Sequence, residues 1–122
     1  MADISYSMTM RVSKDYLDDL VSLAGGTATM DTVGMKSLTI TLSTSATSIS
    51  TANLSSVGMA FVRNLQTTTT STVTIGVDSG GFAGFSTLRS GEAGMFRLTS
   101  GIDYQAKGTA EGDRLRIDVT EG

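Results

Sequence analysis

The residue types that most often carry out proton transfer and nucleophilic attack are missing from this sequence. It has 122 residues and contains no His and no Cys, which removes the commonest general base, the thiol nucleophile and the zinc–thiolate ligands. Acid–base chemistry would fall to carboxylates, each of which lies in a predicted turn or on the outer side of a polar strand, where a solvated carboxylate is the ordinary state. These candidates are Glu92, Asp103, Glu111, Asp113 and Asp118. We predict that the protein is not an enzyme.

Two further segments could bind a small ligand. Asp15, Asp18 and Asp19 form an acidic cluster, but no glycine-centred loop of alternating oxygen ligands follows, as a calcium site requires. The glycine-rich segment 79–85 lacks the Lys-Ser/Thr end of a phosphate loop, and no helical pattern follows it. We expect a solvated turn at the aspartates and no metal or cofactor. Phe82 and Phe85 are expected to plug one end of the fold rather than to form a ligand platform.

Composition and charge restrict the classes of partner. The net charge is −3, only 17% of the residues are charged, and the basic residues are scattered singly along the sequence, which disfavours binding of nucleic acid. No apolar run approaches the length of a membrane span, and no secretion signal is recognisable. We therefore expect a soluble protein that is made in the cytoplasm and forms one domain over residues 1–122.

Alternating apolar and polar residues indicate β-strands throughout the chain. Two such runs flank the Thr/Ser tract within segment 57–78, which we interpret as a β-hairpin that forms a core pair. A closing strand directs Leu115, Ile117 and Val119 inward and keeps a charged outer face. About eight to ten short strands at turn spacings of about ten residues predict an all-β fold, an antiparallel β-sandwich or jelly roll.

The N-terminal segment is open to two interpretations. Ile4, Tyr6, Met8, Met10 and Val12 alternate with polar residues, which favours a strand that faces the core. Residues 1–12 could instead form an arm that pairs with a neighbouring subunit. The next segment, 13–24, fits either a capped helix or a turn followed by a strand, and its all-β surroundings favour the strand.

Two segments are the expected contacts with other proteins. The first is the N-terminal strand, which has Tyr6, Met8 and Met10 on one face. The second is the hydroxyl-rich loop 67–72, which carries almost no charge and is therefore cheaper to desolvate than a Lys- or Glu-rich loop. The contact residues assigned to this loop are Thr67, Thr68, Thr69 and Thr70.

Several motifs in the second half of the chain resemble a known group. The segments LSSVGMAFVRNLQ, VTIGVDSGG and LRSGEAGMFRL, together with the ending YQAKGTAEGDRLRIDVTEG, are similar to small β-sandwich structural proteins of tailed-bacteriophage virions. The positions that match this group are Gly58, Arg63, Asn64, Leu65, Gly76, Asp78, Gly91 and Glu92. The N-terminal half matches this group only in the spacing of its predicted strands.

The resemblance implies a virion structural protein that acts through protein–protein contacts. The expected role is a capsid decoration or cement subunit, and a head-to-tail connector or tail component is the alternative. The expected partners are the major capsid protein or neck and tail proteins, together with further copies of the chain. A glycan-binding sandwich is a third reading, which the absence of Trp and the presence of only three Tyr disfavour.

Overall fold

The computed structural model describes residues 3–30, 34–51, 54, 56–67 and 70–122. Within these ranges the chain forms ten strands and no helix. The strands are β1 (Ile4–Lys14), β2 (Leu17–Ala28), β3 (Met35–Leu42), β4 (Thr47–Ser48), β5 (Val57–Asn64), β6 (Thr72–Asp78), β7 (Phe82–Arg89), β8 (Ala93–Arg97), β9 (Tyr104–Gly108) and β10 (Asp113–Glu121). All pairings are antiparallel, so the predicted all-β antiparallel fold is confirmed. The chain divides into two compact units, Met1–Asp31 and Thr32–Gly122.

The first unit is a long two-stranded hairpin made of β1 and β2. The turn between them contains Asp15, whose φ of 54° lies in the left-handed region that Asp tolerates better than most residues. The segment 13–24 is therefore a turn plus a strand, as its surroundings favoured. β2 continues past Gly25 and Gly26 through a bulge. Gly25 supplies the required positive φ of 74°, and the ring of Tyr6 covers Gly26.

The N-terminal strand contributes no side chain to the buried apolar cluster of the described residues. The side chains of Met8 and Met10 are 43% and 59% exposed, and on β2 Val21 and Leu23 are exposed to a similar degree. Alternation specifies which residues share a face of a strand, but it does not specify whether that face is covered.

The second unit contains two four-stranded sheets. Sheet 1 has the strand order β3-β10-β5-β8, and sheet 2 has the order β4-β9-β6-β7. The core consists of buried apolar side chains contributed by both sheets and by adjoining loops. These are Leu42, Ile49, Ala60, Val62, Val73, Ile75, Leu88, Leu98, Ala106, Leu115, Ile117 and Val119. The two sheets pack as an antiparallel β-sandwich, as predicted.

The predicted hairpin over segment 57–78 is wrong in its pairing, although both of its strands exist. β5 lies in sheet 1 between β10 and β8, whereas β6 lies in sheet 2 between β9 and β7. The connection after Asn64 therefore passes from one sheet to the other. Since β5 and β6 each have two other partners, neither has a free edge for the other, and their buried side chains belong to the same core. Periodicity identified the strands but carried no information about partners.

β10 lies inside sheet 1, where it pairs with β3 on one side and β5 on the other. Leu115, Ile117 and Val119 are buried as predicted, while Arg114 and Arg116 are exposed on the outer side. At the other side of the sheet, β8 is the edge strand and pairs with β5. The ring of Phe96 on β8 meets that of Phe85 on β7 edge-on at 5.6 Å between centroids. This contact joins the edge strands of the two sheets, but Phe85 is 53% exposed, so it does not plug the end of the sandwich as expected.

Candidate functional site

Three of the five carboxylates considered for catalysis form local contacts. Asp113 is buried and accepts hydrogen bonds from Thr109 N at 2.9 Å and Ala110 N at 3.2 Å, which closes the turn before β10. Glu92 accepts a hydrogen bond from Arg89 N at 2.6 Å in the turn between β7 and β8. Asp118 pairs with Arg116, and Asp103 and Glu111 lie in exposed connections. These contacts assign turn and sheet roles to three of them and bring the five into no common site.

The acidic cluster of the hairpin is split by the strand geometry. Asp15 is in the turn, whereas Asp18 and Asp19 are consecutive residues of β2 and therefore lie on opposite faces. Asp18 forms an ion pair with Arg11 at 3.4 Å, in which both side chains are 65% exposed. Over the residues that the structure describes, no three His, Cys, Asp or Glu side chains gather as metal ligands would.

Of the contact residues predicted on the N-terminal strand, Met8 and Met10 lie together on an exposed surface, whereas Tyr6 is half-buried with its ring against Gly26. Met8 is paired with Leu23 and Met10 with Val21 in the β1–β2 register, and directly opposed residues project to the same side. We name this surface, formed by Met8, Met10, Leu17, Val21 and Leu23, the hairpin face. An open groove of about 290 Å³ runs along it. Sequence reasoning found the β1 half of this surface only, because segment 13–24 fitted two structures.

The second predicted contact segment is partly outside the described residues. Thr67 and Thr70 are exposed in the connection between β5 and β6, whereas Thr68 and Thr69 lie outside the described residues. The contact predicted for this loop stays a prediction.

Sequence reasoning predicted only one part of a second surface, the charged outer face of the closing strand β10. It is the outer side of sheet 1, where four of the six arginines of the chain project from neighbouring strands. We name this surface the arginine face, and its arginines are Arg63, Arg97, Arg114 and Arg116. All four are exposed. They appear as isolated basic residues in the sequence, and only the pairing of β5, β8 and β10 places them on one side of one sheet.

The charges of the arginine face are only partly balanced. Arg116 lies directly opposite Arg63 in the register of β10 with β5, and like charges in this arrangement repel. Arg116 donates from Nε to Asp118 Oδ2 at 3.2 Å. The other carboxylate oxygen of Asp118, Oδ1, is buried and has no hydrogen-bond partner within the described part of the chain. In that same part, Arg63, Arg97 and Arg114 form no ion pair.

Apolar side chains continue the arginine face along the strands. Phe61 lies two residues before Arg63 on β5 and is 42% exposed, and Met95 lies opposite it on β8. Met59 follows one row further along β5, and Met35 of the edge strand β3 is 62% exposed. Charged side chains lie among these apolar ones, since Asp118 is opposite Phe61 and Arg97 is opposite Met59.

Comparison with protein-family models, with curated proteins and with solved structures finds no match to this chain. Among the described residues no helix is long and apolar enough to cross a membrane. The chain is thus defined by its fold, a β-sandwich with a separate β-hairpin, and by its two exposed surfaces.

Proposed function

We propose that this protein is a structural subunit of a tailed-bacteriophage virion, a capsid decoration or cement protein that acts by binding other proteins. The hairpin face is the observation that carries this proposal. Its apolar side chains stand between about two-fifths and three-fifths exposed on a surface formed by two strands. An isolated two-stranded hairpin is at best marginally stable in water, and an uncovered apolar face is typical of a protein-binding surface.

The hairpin has one apolar and one mainly polar face, which suits binding to another protein. One face carries Met8, Met10, Val21 and Leu23, and the opposite face carries polar side chains such as Thr9, Arg11 and Ser22. Methionine side chains are flexible and polarizable, so they adapt to a partner surface without a fixed shape. Such a surface suits a subunit that becomes rigid only when it is bound into an assembly.

Two of the motifs that carry the resemblance to virion sandwich proteins lie next to each other in the second unit. Asn64 from the RNL motif and Gly91 and Glu92 from the GE motif are distant in sequence but adjacent in space. Asn64 N donates to Glu92 O at 2.9 Å, and Gly91 N donates to Asn64 O at 3.1 Å. The two motifs together form one corner of the sandwich, which supports reading them as a shared framework.

The proposal is tested by quantitative mass spectrometry of purified particles from the phage whose genome encodes this chain. Hundreds of copies per particle support decoration of the capsid. A small multiple of six or twelve assigns the protein instead to the neck or tail, because those parts are rings. Absence from purified particles refutes the proposal.

A matched pair of variants tests the role of the hairpin face in the same particles. Met8→Ser combined with Met10→Ser removes apolar surface from the hairpin face, and we expect occupancy of the particles to fall at least tenfold. Leu20→Ser is the control, since Leu20 is 58% exposed but lies on the opposite face of β2. If the two variants occupied the particles equally, the hairpin face would have no role in assembly.

A further inference from the structure

We infer that the hairpin face binds the hairpin face of a second copy of this chain, with the two turns at the same end. This inference rests on the proposed function in one respect, because it names the protein that covers the hairpin face. The hairpin is a two-stranded sheet. Such a sheet is at best marginally stable alone in water, and a second layer over its apolar side stabilises it. A second copy supplies that layer and receives the same cover in return.

The side of the hairpin that carries the hairpin face consists of rows, each with one residue from β1 and one from β2. From the turn towards the other end, the successive rows are Lys14 with Leu17, Val12 with Asp19, Met10 with Val21, and Met8 with Leu23. In the last two rows a flexible methionine on β1 lies beside a branched aliphatic side chain on β2. This side of the hairpin therefore has an apolar half and, nearer the turn, a half with one base and one acid.

A two-fold axis parallel to the strands matches this surface to itself. It places β1 of one copy over β2 of the other, so that each row meets the same row of the partner. Met10 then lies over the partner's Val21, and Met8 lies over the partner's Leu23. Methionine adapts its shape to a branched neighbour, and two sheets pack face to face at about 10 Å with their strands roughly aligned. The contact is isologous, which is the commonest symmetry of protein dimers.

The two charges near the turn favour this orientation. Lys14 and Asp19 are exposed on neighbouring rows, and neither forms an ion pair within the described part of the chain. With both turns at the same end, Lys14 of each copy lies one row from the partner's Asp19 on the facing strand, within reach of a lysine side chain. The contact therefore contains two pairs of opposite charges. With the turns at opposite ends and the methionine rows superposed, Lys14 lies over the partner's Ile4 instead.

The available area is enough for a specific dimer. The half-exposed side chains of the hairpin face present roughly 400 Å² of apolar surface in each copy, which is within the range of functional patches on small proteins. Two such surfaces, together with Val12, Lys14 and Asp19 beside them, bury about 1,000 Å² in total, the lower limit of a specific interface. A contact near this limit gives a dimer that dissociates on dilution.

Reversal of the two charges tests the contact in the full chain. The two variants are Lys14→Glu and Asp19→Lys. Their controls are Arg114→Glu and Asp103→Lys, which change the net charge by the same amounts at exposed positions of the second unit. Analytical ultracentrifugation measures the dimerisation of each variant alone and of an equal mixture of the first two, and circular dichroism confirms that each is folded.

We expect the wild-type protein and both controls to dimerise equally. Each of the two hairpin variants alone should dimerise about tenfold more weakly, because both charge contacts then join like charges. The equal mixture should regain dimerisation, since the introduced glutamate of one variant faces the introduced lysine of the other, and the native Asp19 faces the native Lys14. Within each variant chain the two charges stay alike, so repair of the hairpin itself cannot produce this recovery.

A matched pair of leucines tests the apolar half of the contact. Leu23→Ser removes an apolar side chain from the hairpin face, and we expect at least tenfold weaker dimerisation. Leu20→Ser is the control, because Leu20 is exposed to a similar degree on the opposite side of β2. Equal dimerisation of these two variants would contradict the contact.

A distance measurement tests the orientation of the two hairpins. The chain contains no cysteine, so Tyr16→Cys in the exposed turn accepts a single nitroxide label per copy. Pulsed electron paramagnetic resonance should give a distance between the labels of less than about 25 Å when the turns lie at the same end of two sheets packed about 10 Å apart. Turns at opposite ends would give more than about 35 Å, since the 11 residues of β1 extend over about that length.

Three further results would overturn the inference. They are hairpin variants that dimerise as well as their controls, a mixture that does not recover, and a wild-type protein that stays monomeric at about 100 μM, which would leave the hairpin face to a different protein. The proposed virion role is judged separately by copy number in purified particles. A high copy number with a monomeric free protein refutes the dimer alone, whereas a dimer that is absent from particles refutes the virion role alone.

Discussion

The side-chain amide of Asn64 donates a hydrogen bond to the backbone carbonyl of Leu88 at 3.1 Å. Asn64 lies at the end of β5 in sheet 1, and Leu88 lies on β7 in sheet 2, so this bond joins the two sheets of the sandwich. Asn64 is completely buried, and its Oδ1 atom accepts a hydrogen bond from Gln66 N at 3.0 Å. One amide thus fixes the point where the chain leaves the first sheet.

Replacing Asn64 with Leu should lower the free energy of unfolding by about 2 to 4 kcal/mol, because the buried carbonyl of Leu88 and the amide of Gln66 lose their partners. Urea denaturation measures the change. Arg63→Ala is the control at the neighbouring exposed position, where a change within about 0.5 kcal/mol is expected. Similar effects of the two substitutions would contradict the role assigned to the amide.

Asp113 gives a second test of a buried polar group. Its Oδ2 atom accepts hydrogen bonds from Thr109 N, Thr109 Oγ1 and Ala110 N. Asp113→Ala should cost about 2 to 3 kcal/mol of unfolding free energy, since these donors lie in a closed turn. Asp113→Asn keeps one acceptor oxygen and should cost about 1 kcal/mol. Chemical denaturation measures the free energy of unfolding of both variants. If the Asn variant were as unstable as the Ala variant, the negative charge of Asp113 would contribute more to stability than its acceptor oxygen does.

Two glycines of the sandwich should respond in opposite ways to the same substitution. A Cβ atom at Gly76 would lie 2.8 Å from the backbone atoms Ala83 C and Gly84 Cα, which cannot move aside without breaking the β6–β7 pair. Gly76→Ala should therefore destabilise the protein by about 1 to 3 kcal/mol. At Gly94 the nearest atom is Val62 Cγ2 at 3.7 Å, an ordinary contact.

Gly94→Ala should be neutral or stabilise the protein by up to about 1 kcal/mol, because alanine loses less backbone entropy than glycine when the strand forms. Thermal melts of the two variants provide the comparison. A destabilised Gly94→Ala variant, or a fully stable Gly76→Ala variant, would contradict the strand packing described for β6 and β8.

Removal of residues 1–31 should leave the sandwich folded. Every side chain of the buried apolar cluster belongs to the second unit, Thr32–Gly122. The truncated protein should keep its β-sheet circular dichroism, and its melting temperature should change by less than about 5 °C, which corresponds to about 1 kcal/mol for a domain of this size. Loss of cooperative melting would show that the hairpin is needed for the stability of the second unit.

The strands of this fold were largely predictable from the sequence, whereas their partners were not. Alternation located β5 and β10 and assigned Leu115, Ile117 and Val119 to the core, because burial on one face imposes a period of two. The same alternation in β5 and β6 suggested a hairpin, yet each strand pairs within a different sheet. Pairing depends on which edges remain free after all strands have assembled, and this information is not local.

The candidate surfaces were likewise predictable only in part. Tyr6, Met8 and Met10 were placed on one strand face from sequence, but the matching residues Val21 and Leu23 required the hairpin register. Of the arginine face, only the charged outer side of the closing strand was predicted. Arg63 and Arg116 come from different strands, and their proximity exists only through the pairing of β5 with β10. Adjacency in a sheet, rather than adjacency in sequence, concentrates the charge.

The position of β10 inside sheet 1 also determines when that sheet can form during synthesis. β3 and β5 do not pair with each other, and each is bound to β10, which follows both of them along the chain. On a ribosome, β3 and β5 therefore emerge with open edges and must wait for β10 before sheet 1 can close. Open edges of this kind attract other chains. Efficient production of this protein thus depends on protecting a nascent chain that cannot fold strand by strand.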